Sequence, residues 1–509
     1  MIAAPLPYAA LAIGLVPALP LFAAALIGLR LLAGGGRGDA AEPATARLAA
    51  GAAGIGLVLL LVIDGCALAG GLPAYVKLGR WFASGDLAVT LSFMADPLAL
   101  AAATLVALLG WLVLRVARPY LHREAGFHRF FACLCLFLAG AQLVVLAGNG
   151  VLLFVGWELL GISSYLLIGY AWHRPLATGN ALFAFVANRI GDAGLIVGLS
   201  LSVWWFGSFE WPVLAAARDL PSITARLLVF GFVVAALAKS AQLPFTPWIA
   251  RALEGPTPSS AIFYGSILIH AGVYLLLRLE PLLVQAPDVQ LGLALAGLLT
   301  ALYAWLCGLV QTDVKSALVF ATVFQVGLMF VAIGLGWFGL AGIHLGLHAA
   351  WRVWQFLLAP SWLQLAPAPP KPAPAWLVRR QWLYTASLNR FWLDRLALAL
   401  LAQPTVSLAR DVRGLDEHFI DRALGEPGRG SPLVADKPLV VGDGIAGRLL
   451  ARLAEKLQEL ERHLSLRGRG GIGERLLQRG GRYVRVLENL LEQPRYLMLA
   501  VMATFVVIL

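Results

Sequence analysis

Charged side chains are scarce in this chain of 509 residues. Asp, Glu, Lys and Arg make up 13% of it, whereas hydrophobic residues make up 60%. A soluble domain carries about 25% charged residues, so the composition excludes a soluble globular protein and indicates a membrane protein. The net charge of +11 then fits basic loops that set orientation and contact anionic lipids. We expect the lipid bilayer as a partner and no nucleic acid.

Cysteine is also rare. The four cysteines (Cys66, Cys133, Cys135 and Cys307) each lie in or beside an apolar run. They show no metal-ligand spacing, and we expect four small, buried hydrophobic side chains. No nucleotide-binding fold, P-loop, haem site, iron–sulfur site or hydrolase triad is visible. The sequence therefore predicts no cofactor, no metal and no catalytic centre in this chain, which leaves the carrying of ions or protons.

Long apolar runs are abundant. A transmembrane helix needs about 17–25 mostly apolar residues, and a short run at 496–509 adds a marginal candidate. The first run is too long for a signal peptide, so we predict a mature helix there. The predicted fold class is an all-α polytopic membrane protein with about 12 transmembrane helices. The eleven runs before Pro360 are Tyr8–Leu32, Leu48–Leu68, Leu98–Val116, Phe130–Leu146, Val151–Leu167, Ala181–Val203, Leu227–Ile249, Ser260–Leu277, Leu291–Leu309, Ala317–Leu335 and Phe338–Leu358.

Composition divides the chain into five regions. Residues 1–90 hold N-terminal helices, and residues 91–358 hold a core rich in intramembrane polar residues. Residues 359–444 begin with a proline-rich linker, which cannot be helical, and continue with cytoplasmic or interfacial helices. Residues 445–493 repeat leucine at helical spacing with charges between, which predicts an amphipathic lateral helix on a membrane surface. Residues 494–509 form the predicted C-terminal membrane anchor.

Basic residues in short loops predict the orientation. The more basic side of the membrane receives Arg30, Arg118, Arg123 and Arg174, and we predict that it is cytoplasmic. The N-terminus then lies outside the cell inner membrane, and the lateral helix lies on the cytoplasmic side.

Three ionisable residues, Glu158, Lys239 and His270, lie inside apolar runs. Each costs roughly 2.5–3.5 kcal/mol at membrane depth and marks a candidate functional site. Pro244 and Pro247 follow Lys239 and are predicted to break its helix. Such a break is tolerated in a bilayer only where it is buried in protein or lines a wet cavity. The structural alternatives are a lysine that reaches the membrane surface and a neutral glutamic acid bonded to a carbonyl.

Further ionisable residues extend this polar thread. Arg189 and Asp192 are three residues apart, so they share a helix face as an intramembrane ion pair, either structural or part of a relay. His344 and His348 lie four apart on one helix face. No third metal ligand is evident, so they favour a proton wire over a zinc site. Lys315 lies at a helix start and either extends the wire or is an interfacial charge.

Six sequence strings carry a family resemblance. They are FVGWELLGISSYLLIG at 154–169, ANRIGD at 187–192, KSAQLPF at 239–245, EGPTPSS at 254–260, QTDVK at 311–315 and HLGLHA at 344–349. As a set they resemble the antiporter-like, proton-translocating membrane subunits of respiratory complex I, with the best likeness to the subunit L or chain 5 family. The resemblance covers about residues 90–358 and suggests a shortened variant.

The resemblance implies roles for individual residues. Glu158 and Lys239 would form the intramembrane pair of the family, and Lys315 with the histidines would continue a polar axis. The segment after Ile445 looks like the family's lateral helix, which runs along neighbouring subunits. Two departures stand out: the family's second broken helix with its own lysine is missing after His348, and Arg352 stands at what looks like a lysine position. Arginine cannot be deprotonated.

The function we predict is proton translocation within a complex I-like, NADH-quinone oxidoreductase-type assembly. Lys239 is the expected switching site, Glu158 modulates it, and His270, Lys315, His344 and His348 extend the wire. Other membrane subunits and a soluble redox module would be the partners. One alternative is a cation/proton antiporter or a two-component inorganic-carbon uptake complex with a carbonic-anhydrase-like partner. Another is a structural brace that conducts nothing.

Overall fold

The computed structural model describes residues 6–36, 38–84, 87–359 and 372–403. Long apolar helices fill the first part of the chain, as the composition predicts. They are α1 (Leu6–Leu32), α2 (Glu42–Leu68), α3 (Pro97–Tyr120), α4 (Phe127–Leu146), α5 (Gly150–Ile168) and α6 (Pro175–Phe206).

Long and short helices mix in the second part. The long ones are α8 (Ser222–Lys239), α13 (Pro287–Gly308), α14 (Val314–Gly334) and α15 (Phe338–Leu358). The short ones are α7 (Trp211–Ala216), α9 (Pro247–Arg251), α10 (Thr257–Ser260), α11 (Ala271–Arg278), α12 (Glu280–Leu283), α16 (Ala375–Val378), α17 (Gln381–Leu388) and α18 (Leu393–Ala397).

Ten helical segments within the described residues are long and apolar enough to cross a membrane. This confirms the all-α polytopic class. The predicted eleventh run is α15, which has 21 residues but is not among the ten and carries three ionisable side chains. The proline-rich linker at 360–371, the lateral helix and the C-terminal anchor lie outside the described residues.

An antiparallel β-hairpin follows α2. Strands β1 (Tyr75–Ser84) and β2 (Leu87–Met94) pair with Val76 opposite Phe93. The sequence predicted N-terminal helices in residues 1–90 but did not predict this hairpin. A search for long apolar runs does not detect these strands, because they have only 10 and 8 residues. In β2, apolar Val89, Leu91 and Phe93 alternate with polar residues, which is the period of a strand.

A carboxylate ties the hairpin to the helices. Glu210 accepts hydrogen bonds from three hydroxyl groups, those of Tyr75 (2.6 Å), Thr90 (2.5 Å) and Ser92 (2.8 Å). Burial and the bond to Glu210 raise the pKa of Tyr75, so its hydroxyl stays protonated and donates. The amide of Asn149, in the turn between α4 and α5, donates to Ser92 Oγ at 2.8 Å. We call this end of the helices the hairpin side.

Small residues let neighbouring helices touch. A Cβ added to Gly156 of α5 would lie 2.7 Å from the carbonyl oxygen of Gly140 of α4, and one added to Gly140 would lie 2.9 Å from Gly156 O. Helices in lipid associate through such close packing, because the bilayer provides no hydrophobic drive between them. The contact fixes α5, and with it Glu158, against the bundle.

Two transmembrane segments are broken. The helix containing Lys239 ends at that residue and resumes at Pro247, at the break predicted from the prolines. The second break was not predicted: the run Ser260–Leu277 contains a π-helical turn at Ala261–Ser266, and α11 begins only after His270. No proline lies at this second break, and the only breaker residue in the π-helical turn is Gly265, which is a weak signal.

The region after the linker folds back onto the helices. Trp376 of α16 stacks on Trp305 of α13 with ring centroids 5.6 Å apart, and the ring centroid of Phe391 lies 5.9 Å from that of Tyr303.

The prediction that all four cysteines are buried is correct for three of them and wrong for Cys66, which is exposed on α2.

Candidate functional site

Lys239 is enclosed by protein. Its side chain is 1% exposed, and its Nζ lies 3.6 Å from Asp192 Oδ1 of α6. The ammonium group also lies 4.9 Å from the ring centroid of Trp157 on α5, within cation–π range. A lysine that reached the membrane surface would be exposed, so the geometry excludes that alternative.

The chain direction after Lys239 is set by a helix-ending motif. Ala241 has a left-handed backbone (φ +50°), and the N–H of Gln242 donates to the carbonyl of Leu237 at 2.8 Å. This six-to-one bond is that of a Schellman motif, which normally uses glycine at the left-handed position. The indole N–H of Trp248 satisfies the carbonyl of Ala238 at 2.9 Å. Specific hydrogen bonds therefore stabilise the helix break and place Lys239 at the end of α8.

Asp192 is the centre of the charged cluster. Its Oδ1 accepts a hydrogen bond of 2.7 Å from Trp157 Nε1 and faces Lys239, while its Oδ2 lies 3.3 Å from Arg189 Nε. The predicted pair of Arg189 and Asp192 is present. One carboxylate thus serves two cations and one indole, and its side chain is 6% exposed.

Glu158 reaches Lys239 only through this cluster. Both terminal nitrogens of Arg189 donate to Glu158 Oε2. The order of groups is Glu158, Arg189, Asp192, Lys239, so the direct pairing of Glu158 with Lys239 implied by the resemblance is replaced by a four-member chain. Because Arg189 contacts both Glu158 and Asp192, its side chain can shift from one carboxylate to the other without movement of a helix.

His270 and His348 form a second polar cluster. The Nε2 of His270 lies 3.0 Å from Nδ1 of His348, and the Nδ1 of His270 lies 2.6 Å from the carbonyl oxygen of Ser266. A carbonyl oxygen only accepts, so His270 Nδ1 carries a hydrogen. In a neutral ring its Nε2 then accepts, and His348 Nδ1 must donate. The π-helical turn before His270 makes the carbonyl of Ser266 available for this bond.

The histidine cluster continues along α15. Arg352 Nε donates to His348 Nε2 at 3.4 Å, and Arg352 also donates to Gln355 Oε1 at 2.9 Å. His344 lies on the same face but bonds to Gln325 of α14 at 2.9 Å. The hydrogen-bond chain therefore has a fixed direction, from arginine through His348 to His270, when both rings are neutral.

Lys315 lies apart from both clusters. Its Nζ donates to Thr257 Oγ1 at 2.6 Å, and Thr257 also bonds to the hydroxyl of Tyr120 at 2.8 Å. Tyr120 is the last residue of α3, so this contact lies at the membrane side opposite the hairpin. Asp313 caps α14 by accepting from the backbone N–H of Lys315 at 2.9 Å. The geometry favours the interfacial alternative for Lys315.

Sequence reasoning missed two contributors to the site. Trp157 is fully buried and binds both Asp192 and Lys239; its place next to Glu158 was the available signal. A cavity of about 40 Å³ beside His270 was also missed; its lining is mostly apolar and includes Leu160, Ser266 and Tyr274. Nothing in a linear sequence reports such a void.

The fold and the site define a polytopic membrane protein with buried ionisable groups in two broken transmembrane segments. Residues 147–365 match the family described as "NADH:quinone oxidoreductase/Mrp antiporter, TM", and residues 81–131 match "NADH-Ubiquinone oxidoreductase (complex I), chain 5 N-terminus". The two matches cover more than half of the chain. The chain belongs to the antiporter-like membrane subunit family of complex I, which confirms the resemblance.

Individual relatives agree with this assignment. The NADH-quinone oxidoreductase subunit L of Mycobacterium tuberculosis (strain CDC 1551 / Oshkosh) is 39% identical over 354 residues, which cover 67% of this chain and 54% of that protein. The NAD(P)H-quinone oxidoreductase subunit 5 of the Paulinella chromatophora chromatophore is 33% identical over 350 residues, covering 67% and 52%. The chain thus spans about half the length of these relatives.

A solved structure has the same fold. A chain of the Mrp complex from Dietzia sp. DQ12-45-1b aligns with a TM-score of 0.59 at 21% identity and covers 97% of this chain and 62% of that one.

Proposed function

We propose that this chain is a proton-translocating membrane subunit of a complex I-like, NADH-quinone oxidoreductase-type assembly. The observation that carries the proposal is the buried pair of Lys239 and Asp192 at the end of a broken helix. Buried ionisable residues in membranes are costly and are found on ion and proton pathways. Membership of the antiporter-like family supports the same conclusion.

The four-member chain provides a switch. Arg189 stays charged at any working pH, and it contacts both Glu158 and Asp192. When Arg189 moves towards Asp192, the negative charge of that carboxylate is divided between Arg189 and Lys239. Asp192 then stabilises the Lys239 ammonium group less. Lys239 then releases a proton; when Arg189 returns to Glu158, Lys239 regains its counter-charge and takes up another. In this scheme Glu158 acts on Lys239 through Arg189.

The histidine cluster is the proposed acceptor. His270 and His348 share one N–H between facing nitrogens 3.0 Å apart, and a neutral imidazole has one nitrogen that donates and one that accepts a hydrogen. Arg352 limits proton transfer along the histidine cluster, because a proton arriving at His348 meets the fixed positive charge of Arg352, whose Nε lies 3.4 Å from His348 Nε2. The hydrogen bond between His344 and Gln325 continues this path onto α14.

Partners and placement follow from the same proposal. The Mycobacterium and Paulinella relatives are named as subunits, and the Dietzia structure is of a complex. We infer that this chain also assembles with other membrane subunits and with a soluble redox module. The inner membrane, with the N-terminus outside and residues 445–493 on the cytoplasmic side, is the placement that the loop charges favour.

The test is Lys239→Met, which keeps the length of the side chain but removes its charge. In membrane vesicles with the assembled complex, proton uptake should be lost while NADH oxidation can continue. Lys77→Met, which changes an exposed lysine of the hairpin, is the control and should behave as the wild type. Full, coupled proton uptake by Lys239→Met would refute the proposal. If truncation before Ile445 then abolished assembly, a bracing role would be favoured.

A further inference from the structure

A column of polar side chains leads along α11 from the histidine cluster to the hairpin side. His270 lies immediately before α11, and Tyr274 and Arg278 follow it at intervals of four residues, so the three share one helix face. Arg278 is the last residue of α11, and it binds Asp96, the residue before α3. Strand β2 ends two residues before Asp96. The column therefore ends beside the hairpin.

Arg278 is buried and held at both ends of its guanidinium group. Its Nη1 donates to Asp96 Oδ2, and its Nη2 donates to Asp96 Oδ1 at 3.0 Å. The arginine side chain is 7% exposed and the aspartate side chain is 22% exposed. Asp96 Oδ1 also accepts from the backbone N–H of Ala99 at 2.9 Å, which caps α3. The arginine thus lies inside, behind a carboxylate that reaches the surface.

The hydrogen bonds of Tyr274 have a fixed direction. Arg278 Nη2 donates to the hydroxyl of Tyr274 at 2.9 Å, and that hydroxyl donates to the carbonyl oxygen of Val145 at 2.6 Å. Tyr274 therefore has no hydrogen left to donate towards Arg278. A guanidinium group has five donors and no acceptor, and it does not lose its proton in a protein. No proton can be passed outward through this arginine.

The order of charges in the column adds a second obstacle. Tyr274 also lines the cavity beside His270, so a cation that moved from His270 towards the hairpin side would meet Arg278 before Asp96. A fixed arginine on a narrow path excludes protons and other cations by charge repulsion. The carboxylate of Asp96 lies on the outer side of the guanidinium group and fixes it there.

We propose that Arg278 is a barrier residue, which stops protons and metal cations from passing freely between His270 and the hairpin side. Asp96 and Tyr274 are positioning residues that hold Arg278 across the path. The inference rests on the proposed function, because a barrier at this place is needed only if protons reach the histidine cluster. Its role is to prevent leak, so that transported protons are not lost when the complex is idle.

The measurement is passive proton entry into vesicles that contain the assembled complex. No NADH is added, a potassium diffusion potential drives entry, and a pH-sensitive dye reports it, with subunit content quantified. Arg278→Gln removes the charge, and we expect entry to rise about tenfold or more, which corresponds to a barrier lowered by about 1.4 kcal/mol. Arg278→Lys keeps the charge and should leak much less. Arg226→Gln is the control, because Arg226 is half-exposed, pairs with Asp288 at 2.8 Å and lies outside the column.

A double variant separates a leak along the column from a leak through damaged packing. Arg278→Gln combined with Lys239→Met should return to the low wild-type leak, because protons then no longer reach the histidine cluster. A leak that stays high in the double variant would overturn the barrier role. Should Arg278→Gln fail to assemble, Asp96→Asn tests the same point, because asparagine still caps α3 and only the charge that holds Arg278 is lost. Asp96→Asn should also raise the leak.

The outcomes keep the two proposals apart. A wild-type leak in Arg278→Gln, or in Asp96→Asn where that variant is the one that assembles, would overturn the barrier role. If Lys239→Met has lost proton uptake in the same experiments, the proposed function stands without the barrier. Full, coupled uptake by Lys239→Met would overturn the proposed function itself.

Discussion

Asp192→Asn tests which carboxylate holds Lys239. The change keeps the shape of the side chain and an oxygen that can accept from Trp157, but it removes the charge. At 3.6 Å and an effective dielectric constant of about 20, the lost attraction is about 4–5 kcal/mol. Loss of one partner of a buried ion pair destabilises a protein by about 3–5 kcal/mol, which is a cost of the same order.

The assay follows proton uptake in vesicles with a pH-sensitive dye, driven by NADH or by an imposed potassium diffusion potential. Asp192→Asn should slow uptake at least tenfold. Asp64→Asn is the control, because Asp64 is an intramembrane carboxylate outside the site, bonded to Thr104 at 2.7 Å. A wild-type rate for Asp192→Asn, together with a loss in Glu158→Gln, would show that Glu158 holds Lys239 directly.

Three further changes test other parts of the structure. Glu210→Gln should loosen the hairpin by about 1.5–3 kcal/mol for each weakened bond to the carboxylate, measured as faster proteolysis of the hairpin. Gly156→Ala should cost about 1–3 kcal/mol through overpacking and lower the melting temperature; Gly179→Ala, with open space at its Cβ, should not. Arg352→Lys puts a titratable group beside His348, and should make proton uptake depend more steeply on pH between 7 and 10; an unchanged profile would contradict a role for Arg352 in limiting the branch.

The sequence predicted the helices and most of the polar residues because both leave local signals. Apolar runs indicate the transmembrane helices, and Pro244 and Pro247 indicate the helix break after Lys239. The hairpin was missed because its strands are shorter than any span. The π-helical turn before His270 contains no proline, and its single glycine, Gly265, is too weak a signal to predict a break inside an apolar run.

The partner of Lys239 could not be read from the sequence either. Glu158 and Asp192 both lie within apolar runs, and helical spacing places Asp192 on the same face as Arg189, but the choice between the two carboxylates depends on how α5, α6 and α8 pack. Glycines of α6 allow that packing, because a Cβ built on Gly191 would lie 2.4 Å from Ala238 Cβ and one built on Gly194 would lie 2.8 Å from the carbonyl oxygen of Gly231, both on α8. A shift of one residue along α6 would turn Asp192 by about 100° and leave Lys239 without a counter-charge.

The two clusters differ in chemistry, and the difference bears on the direction of transfer. The first cluster has two carboxylates for two cations, so its charges balance and a proton on Lys239 is stabilised by Asp192. The histidine cluster has no carboxylate among the described residues that bond to it, and it carries Arg352 at one end. In the proposed mechanism, transfer from Lys239 to the histidines therefore needs Arg189 to weaken the hold of Asp192 on Lys239, so the charged cluster would gate the histidine cluster and not the reverse.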